Sequence, residues 1–467
     1  MYTLKEVLEA KNLAVIGASQ DPLKPGAMLL KVLKDTGFQG QIAGVNPRAG
    51  GMYGVPFYRS IHEIPFPVDL ATLIIPPKAV APCLADCARA GVKGVVISSE
   101  GFAEAGSEGA RYQQEVSSIL RSSGMRGFGP NTMGIVNTAT GMTTAYFCND
   151  RMLRPGSIGF AAQSGIFVGA LLRYLSSFEE FRISKALGLG NKVDVDESDV
   201  LAYFREDQQT RIVGLYLEDI RDGRRFLEEA RRTVAQKPVL LLKGGRTAAG
   251  AHASASHTAS LAVDDTVLDG ALRQVGVLRV GSIDQLTASL MGFRCMPLPK
   301  GGRIALVTFS GAQAIMSVDT ATDEGLSLAR FASETRERIA EVISSRSKSM
   351  NPVDIFPDMM VHGFEKTSTQ ILRALLADDG VDGIIFIAFA TPDANPYRPL
   401  VEVIQENLRK PVFFSLIGEK ESMDRCRVFL EGNRIPMFLI PEMGVKVFSH
   451  MWRYARIAMG AVLHDPD

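Results

Sequence analysis

From Leu13 onward the chain alternates a short β-branched run, a glycine-rich turn and an amphipathic stretch. Short β-branched runs that alternate with amphipathic stretches argue for parallel sheets covered by helices, and against all-α or all-β folds. A first round contains LAVIGAS, QIAGVN, DLATLII and KGVVISS, with a looser GGMYGVPFY segment after the second, and closes with RGFGPNTMGIVN. After Arg154-Pro155-Gly156 the pattern restarts with SIGFAAQ, ISKALGLG, RIVGLYLE, KPVLLLKG and VGVLRVG. MPLPKGG (Met296–Gly302) reads as a linker. A third round follows: RIALVTFS, LSLARF, NPVDIF, DGIIFIAF, PVFFSLIG and IPMFLIP, then a helix from about Val445. The 467 residues fit about three domains at roughly 150 residues each. The expected fold is therefore α/β, with three doubly wound units over residues 1–150, 151–297 and 298–467.

Charge and cysteine content narrow the function. The 51 basic residues balance 51 acidic ones, which argues against general nucleic-acid or anionic-membrane binding. No run of 18 apolar residues predicts a membrane span, and MYTLKEVLEAKN carries charges where a signal peptide needs an apolar core. Five scattered cysteines suit a reducing, cytoplasmic setting better than disulfides or a four-cysteine zinc site. Cys83 and Cys87 lie four apart on one helix and are expected to pack. The run Asp194–Asp199 mimics a calcium loop, but its sixth position is Asp199 and its twelfth Arg205, so no metal is expected there.

The candidate chemistry lies at strand ends, where open α/β sheets bind ligands. Gly17-Ala18-Ser19, with Lys24 and Gly26, forms the first strand-to-helix turn, suited to phosphate. It is not a clean G-x-G-x-x-G, and no acid ends the second strand, which weakens a dinucleotide dehydrogenase reading. Pro76-Pro77, Ser99-Glu100-Gly101 and Pro130-Asn131 are further rigid turns, and together the four suggest a long ligand lying across one edge. Gln163-Ser164-Gly165 precedes an apolar helix whose start can face an anion. Ala162 stands where a nucleophile elbow needs glycine. The small-residue loop after VLLLK carries His252 and His257. An imidazole there can be a nucleophile or a solvated bystander. Glu218, ending RIVGLYLE, can orient such a ring or simply start a helix. Asp354, in the third round, can reach a loop of the second unit or simply form a turn.

In this order the motifs resemble the alpha part of the nucleoside-diphosphate-forming acyl-CoA synthetases, the superfamily of ADP-forming acetyl-CoA synthetase and succinyl-CoA synthetase. VIGAS with Lys24 and Gly26, IPPKAV, SSEGF and GPNTMG match its CoA-binding turns. QSG matches its phosphate-cradling helix start, and Ser256-His257-Thr258-Ala259-Ser260 matches the segment with the phosphorylated histidine. The resemblance implies a Rossmann-like CoA-binding domain followed by two flavodoxin-like domains. It implies His257 and Glu218 as catalytic, and Gln163, Ser164 and Gly165 as phosphate-binding. CoA would be held by Gly17, Ala18, Ser19, Lys24, Gly26, Pro76, Pro77, Ser99, Glu100, Gly101, Pro130 and Asn131.

The implied reaction is acid, CoA and NTP to acyl-CoA, NDP and phosphate. It runs reversibly through an acyl phosphate, in an oligomer with a separate ATP-grasp beta chain that binds the magnesium nucleotide. The substrates on this chain would be CoA and a small carboxylic acid. Two departures stand out: Ser310-Gly311-Ala312-Gln313 replaces a richer glycine run, and no ATP-grasp segment is found. A CoA-binding regulator or scaffold without turnover is the alternative.

Overall fold

A computed structural model describes residues 1–252, 264–345, 349–356 and 358–460. The chain forms two compact units, residues 1–177 with 181–281, and 178–180 with 282–467. Among the described residues there are three sheets, so the α/β expectation holds.

The first sheet runs β3 (Gly50–Met52), β4 (Val55–Tyr58), β2 (Gln41–Val45), β1 (Asn12–Ile16), β5 (Leu70–Leu73), β6 (Gly94–Ile97), β7 (Arg126–Phe128). Only the β3–β4 pair is antiparallel. Strand order reverses between β1 and β5, the position where a crevice opens at the carboxyl ends. β1, β5 and β6 are almost wholly buried, as a sheet covered on both faces requires. The segment read as loose is the β3–β4 hairpin. Tyr53 (φ 50°) and Gly54 (φ 77°) both take the positive φ of a primed two-residue turn, which a tyrosine does not advertise.

The second sheet runs β14 (Leu278–Val280), β13 (Val239–Lys243), β12 (Ile212–Leu217), β10 (Ile158–Ala162), β11 (Ile183–Gly188), β8 (Ile135–Asn137), β9 (Met142–Thr143). β8 pairs antiparallel with β11, so residues 135–143 leave the first sheet for the second. Asn137 Nδ2 donates to the Leu8 carbonyl at 2.7 Å and stitches this crossing segment back to the first helix turn.

In the other unit, β16 (Ser327–Leu328), β15 (Arg303–Thr308), β18 (Gly383–Phe389), β19 (Val412–Ile417) and β20 (Met437–Phe438) form a parallel sheet, with β17 (Val353–Asp354) beside β15. The last helix starts at Pro441, earlier than Val445, because proline suits the first helical position. The helix Ile283–Cys295 also belongs here: Ser289 Oγ and His450 Nδ1 lie 2.8 Å apart, and a Cβ on Gly292 would meet Val447 at 2.3 Å. Division into three domains is finer than these two units and stays a proposal. β8, β9 and this helix bear on where its boundaries fall. All five cysteines are free thiols. None of the helices, among the described residues, is long and apolar enough to cross a membrane.

Candidate active site

The first sheet offers a row of tight turns. Gly17 has φ +93°, and a Cβ there would stand 2.2 Å from the Ile74 carbonyl oxygen. Gly26 opens the helix Pro25–Asp35 so close to this turn that its Cβ would meet the Gly17 oxygen at 2.2 Å. These two absences of a side chain let β1, β5 and the helix start converge. Ser19 Oγ accepts the Asp21 amide at 3.0 Å, and Lys24 is exposed. Ala18 is fixed by Asn46, whose Nδ2 donates to its carbonyl at 2.7 Å. Asn46 thus stands where a nucleotide-binding acid is usual, but ties the loop instead.

Pro76 and Pro77 begin the helix Pro77–Arg89 directly after β5. Ser99 laces the neighbouring strand ends: it receives the Ile75 amide at 3.2 Å and donates to the Ile75 carbonyl at 2.5 Å. The Gly101 and Phe102 amides both donate to Glu104 Oε1, at 2.8 and 3.0 Å, and Asn191 Nδ2 donates to Oε2 at 2.6 Å. Burial works against ionisation of Glu104. The hydrogen bonds from Phe102 and Asn191 outweigh it and hold the carboxyl below its usual range. Beyond β7, the Asn131 amide donates to the Ser99 carbonyl at 2.9 Å, and the Asn191 amide donates to the Pro130 carbonyl at 2.9 Å. The carboxyl edge of the first sheet therefore meets the β11 end of the second.

In the second sheet Gln163, buried at the end of β10, accepts the amides of Glu218 (2.9 Å) and Asp219 (3.1 Å). Ser164 precedes the short helix Gly165–Val168, but its hydroxyl caps no amide of that helix. Tyr216 stacks on Phe167 at 3.9 Å between centroids, and its hydroxyl donates to Glu218 Oε1 at 3.3 Å. Burial and the Glu218 carboxylate push this phenol up to about 12, which keeps it a donor. Behind Glu218, Lys192 is 1% exposed and pairs with Glu197 at 2.9 Å and Asp219 at 2.5 Å. Lys243 Nζ donates to the Glu218 carbonyl at 2.6 Å.

A cavity of about 380 Å³ opens where the two sheets meet. It brings together Glu100, Asn131, Gln163, Ser164, Gly165 and Glu218. The remaining residues expected to hold CoA do not line it. They stand along the turns of the first sheet described above, outside the cavity. Glu104, Asn191 and Tyr216 were not singled out from sequence, and neither were the cavity residues Met133, Tyr146, Phe147 and Ile166. The Glu three residues after Gly101 was a readable signal, whereas Tyr146-Phe147 lies in a segment without periodicity. His257 lies outside the described residues. Asp354 Oδ1 accepts the Phe356 amide at 3.0 Å, a turn-forming bond. The acidic run is structural: Asp194 and Asp199 both pair with Arg126 at 2.9 Å, and Asp196 caps the helix Glu197–Glu206.

Comparison with known proteins bears on the whole chain. The family model of the CoA binding domain matches residues 11–138, and that of the succinyl-CoA ligase like flavodoxin domain matches residues 155–293. The acetate–CoA ligase [ADP-forming] II subunit alpha of Pyrococcus furiosus is 36% identical over 92% of this chain and 93% of its own. The acetate–CoA ligase [ADP-forming] II of Archaeoglobus fulgidus is 37% identical over 97% of this chain, which spans 67% of that longer protein. Acetyl-coenzyme A synthetase 1 of Candidatus Korarchaeum cryptofilum, solved with phosphate and ADP, superposes with a TM-score of 0.90. It is 29% identical, over 99% of this chain and 98% of that one. With a cavity joining a CoA-type sheet edge to a glutamine–serine–glycine turn and a strand-end glutamate, the chain belongs to the family of ADP-forming acyl-CoA ligases and aligns with their alpha portion.

Proposed function

We propose that this chain is the alpha subunit of a nucleoside-diphosphate-forming acyl-CoA synthetase, which joins an acid to CoA at the expense of an NTP. The observation that carries the reading is the cavity in which Glu100 and Asn131 of the first sheet face Gln163, Ser164, Gly165 and Glu218 of the second. At the low end of ligand-site volumes, it suits a small acid and a phosphoryl group but not a whole CoA. The nucleotide part of CoA would lie outside, along the turns at Gly17–Gly26, Pro76-Pro77 and Ser99–Gly101, with Pro130-Asn131 leading the thiol inward. In the synthetic direction, an acid oxygen attacks the phosphoryl group on His257 and the P–N bond breaks, giving an acyl phosphate. The CoA thiolate then attacks the carbonyl carbon and phosphate leaves. Glu218 would hold the imidazole in one tautomer, with the Gly165 amide facing the phosphoryl oxygens.

The P. furiosus relative is named a subunit alpha, and this chain spans 64–67% of longer relatives. Both support a partner, an ATP-grasp beta chain that binds the magnesium nucleotide. The free thiols support a cytoplasmic setting. The test is acid-labile, base-stable phosphate labelling of the complex. Label should map to His257, vanish in His257→Ala and persist in His252→Ala. CoA binding without any phosphoprotein would favour a regulator or scaffold instead.

A further inference from the structure

A second cavity, of about 1030 Å³, opens at the amino ends of β1, β2 and β12, on the other side of the sheets from the turns described above. Lys5, Glu9 and Lys11 line it before β1, Phe38 before β2, and Lys185 of β11 with Gln209 on the side of the second sheet. Glycine shapes one wall. A Cβ on Gly40 would meet the Lys11 carbonyl oxygen at 1.9 Å and Phe38 Cζ at 2.4 Å, so only glycine lets that ring fold across the start of β2. The buried end is charged: Lys185 is 2% exposed, and its Nζ donates to Asp207 Oδ2 at 3.2 Å and to Gln209 Oε1 at 2.7 Å. An ammonium has three donors, so one stays unspent among the described residues. Tyr203 also lines the cavity, and its hydroxyl is buried with no hydrogen-bond partner among the described residues. At the open end Lys5, Glu9 and Lys11 are exposed, and none forms an ion pair with a described residue.

We propose that this cavity binds a nucleoside monophosphate, at a site separate from the turns expected to hold CoA. Lys5 and Lys11 suit the phosphate. Glu9 suits the ribose hydroxyls, which are donors to a carboxylate. Phe38 offers a ring face for the base. The free Lys185 donor and the Gln209 amide nitrogen suit the acceptors on the base edge. An inorganic anion would leave the ring and Glu9 unused, and a wholly apolar ligand would strand the buried ammonium. The volume lies at the upper end of ligand sites, which fits a nucleotide better than a small metabolite.

This inference does not rest on the acyl-CoA synthetase reading, and the experiment keeps the two apart. The full chain is titrated calorimetrically with AMP while CoA is saturating, so that the CoA turns are filled. AMP should still bind. Adenosine or ribose 5-phosphate should bind at least about tenfold more weakly, since each makes only part of the contacts. Lys5→Ala/Lys11→Ala changes two exposed positions and should lower AMP affinity at least about tenfold, with CoA affinity and Tm unchanged. Phe38→Leu should weaken AMP and adenosine alike, by about fivefold or more, the scale of one base–aromatic stack. No AMP binding, displacement of AMP by CoA, or equal AMP affinity in the lysine variant would overturn the site. If CoA itself fails to bind, the acyl-CoA synthetase reading falls, and the lysine variant still decides this one.

Discussion

The side-chain oxygen of Gln163 accepts the backbone amide of Glu218 at 2.9 Å, so the end of β10 fixes the end of β12. The same oxygen takes the Asp219 amide, and both donors are half-buried, where an amide without a partner is costly. Gln163 therefore sets where the Glu218 backbone turns, independently of any ligand. Gln163→Leu should free both amides and let the glutamate drift. Phosphorylation in the complex should slow by about 100-fold, the cost of a misplacement of roughly 1 Å. CoA affinity, measured on the same protein, should be almost unchanged.

Gly26 is the point at which the helix Pro25–Asp35 touches the Gly17 turn. In Gly26→Ala the new methyl would collide with the Gly17 carbonyl oxygen, which is backbone and cannot rotate away. The helix must back off, at about 1–3 kcal/mol of overpacking. A lower Tm and CoA binding weakened by about tenfold are expected in calorimetry of the full chain. Unchanged CoA affinity would place the nucleotide elsewhere.

Lys192 sits between Glu197, itself fully buried, and Asp219. Lys192→Met strands the Glu197 carboxylate without its cation and should cost about 3–5 kcal/mol in urea unfolding. The double variant Lys192→Met/Glu197→Gln should recover part of that loss, since the fully buried carboxylate is then neutral and only the partly exposed Asp219 still lacks Lys192.

His450, in the unit containing 282–467, gives that unit an acid limit. Burial, with Arg453 and Lys446 nearby, lowers its pKa from 6.5 to about 4. Above pH 6.5 the ring is neutral in both states. Between 6.5 and 4 the unfolded chain takes up a proton that the folded chain refuses, so stability falls with pH by roughly 3 kcal/mol in all. Glu431 acts the other way: burial, with Glu179 and Glu180 adding to it against Arg427, pushes its carboxyl from 4.5 to about 7. It therefore favours the folded state as pH falls through that window. The informative measurement is the difference between the native chain and His450→Leu in melts at pH 7 and pH 5. The variant should lose less stability on acidification than the native chain does.

Much of the fold was legible because its strands are buried on both faces and read as continuous apolar runs. β10, β12 and β13 are examples, and after β12 a turn leads into the amphipathic helix Gly223–Val234. Gln163, Glu218 and the proline turns were legible for a related reason, since polar or rigid residues directly after such runs stand on the ligand edge. What escaped was short or irregular. β8 and β9 are three and two residues long and carry no periodicity. Tyr146 and Phe147 follow them in an aperiodic stretch, and only the three-dimensional structure shows that both line the cavity.

The passage of residues 135–143 into the second sheet has a practical consequence for anyone cutting the gene. A fragment stopped at residue 150 would carry away the edge strands of the neighbouring sheet, with Asn137 still bonded to Leu8 and no β11 to pair against. The piece left behind would expose the flank of β11, an open strand edge of the kind that recruits other chains. Expressed apart, the two halves should aggregate. Co-expressed, they should find each other by restoring the β8–β11 ladder, which makes this junction a natural place to split the protein into a reassembling pair.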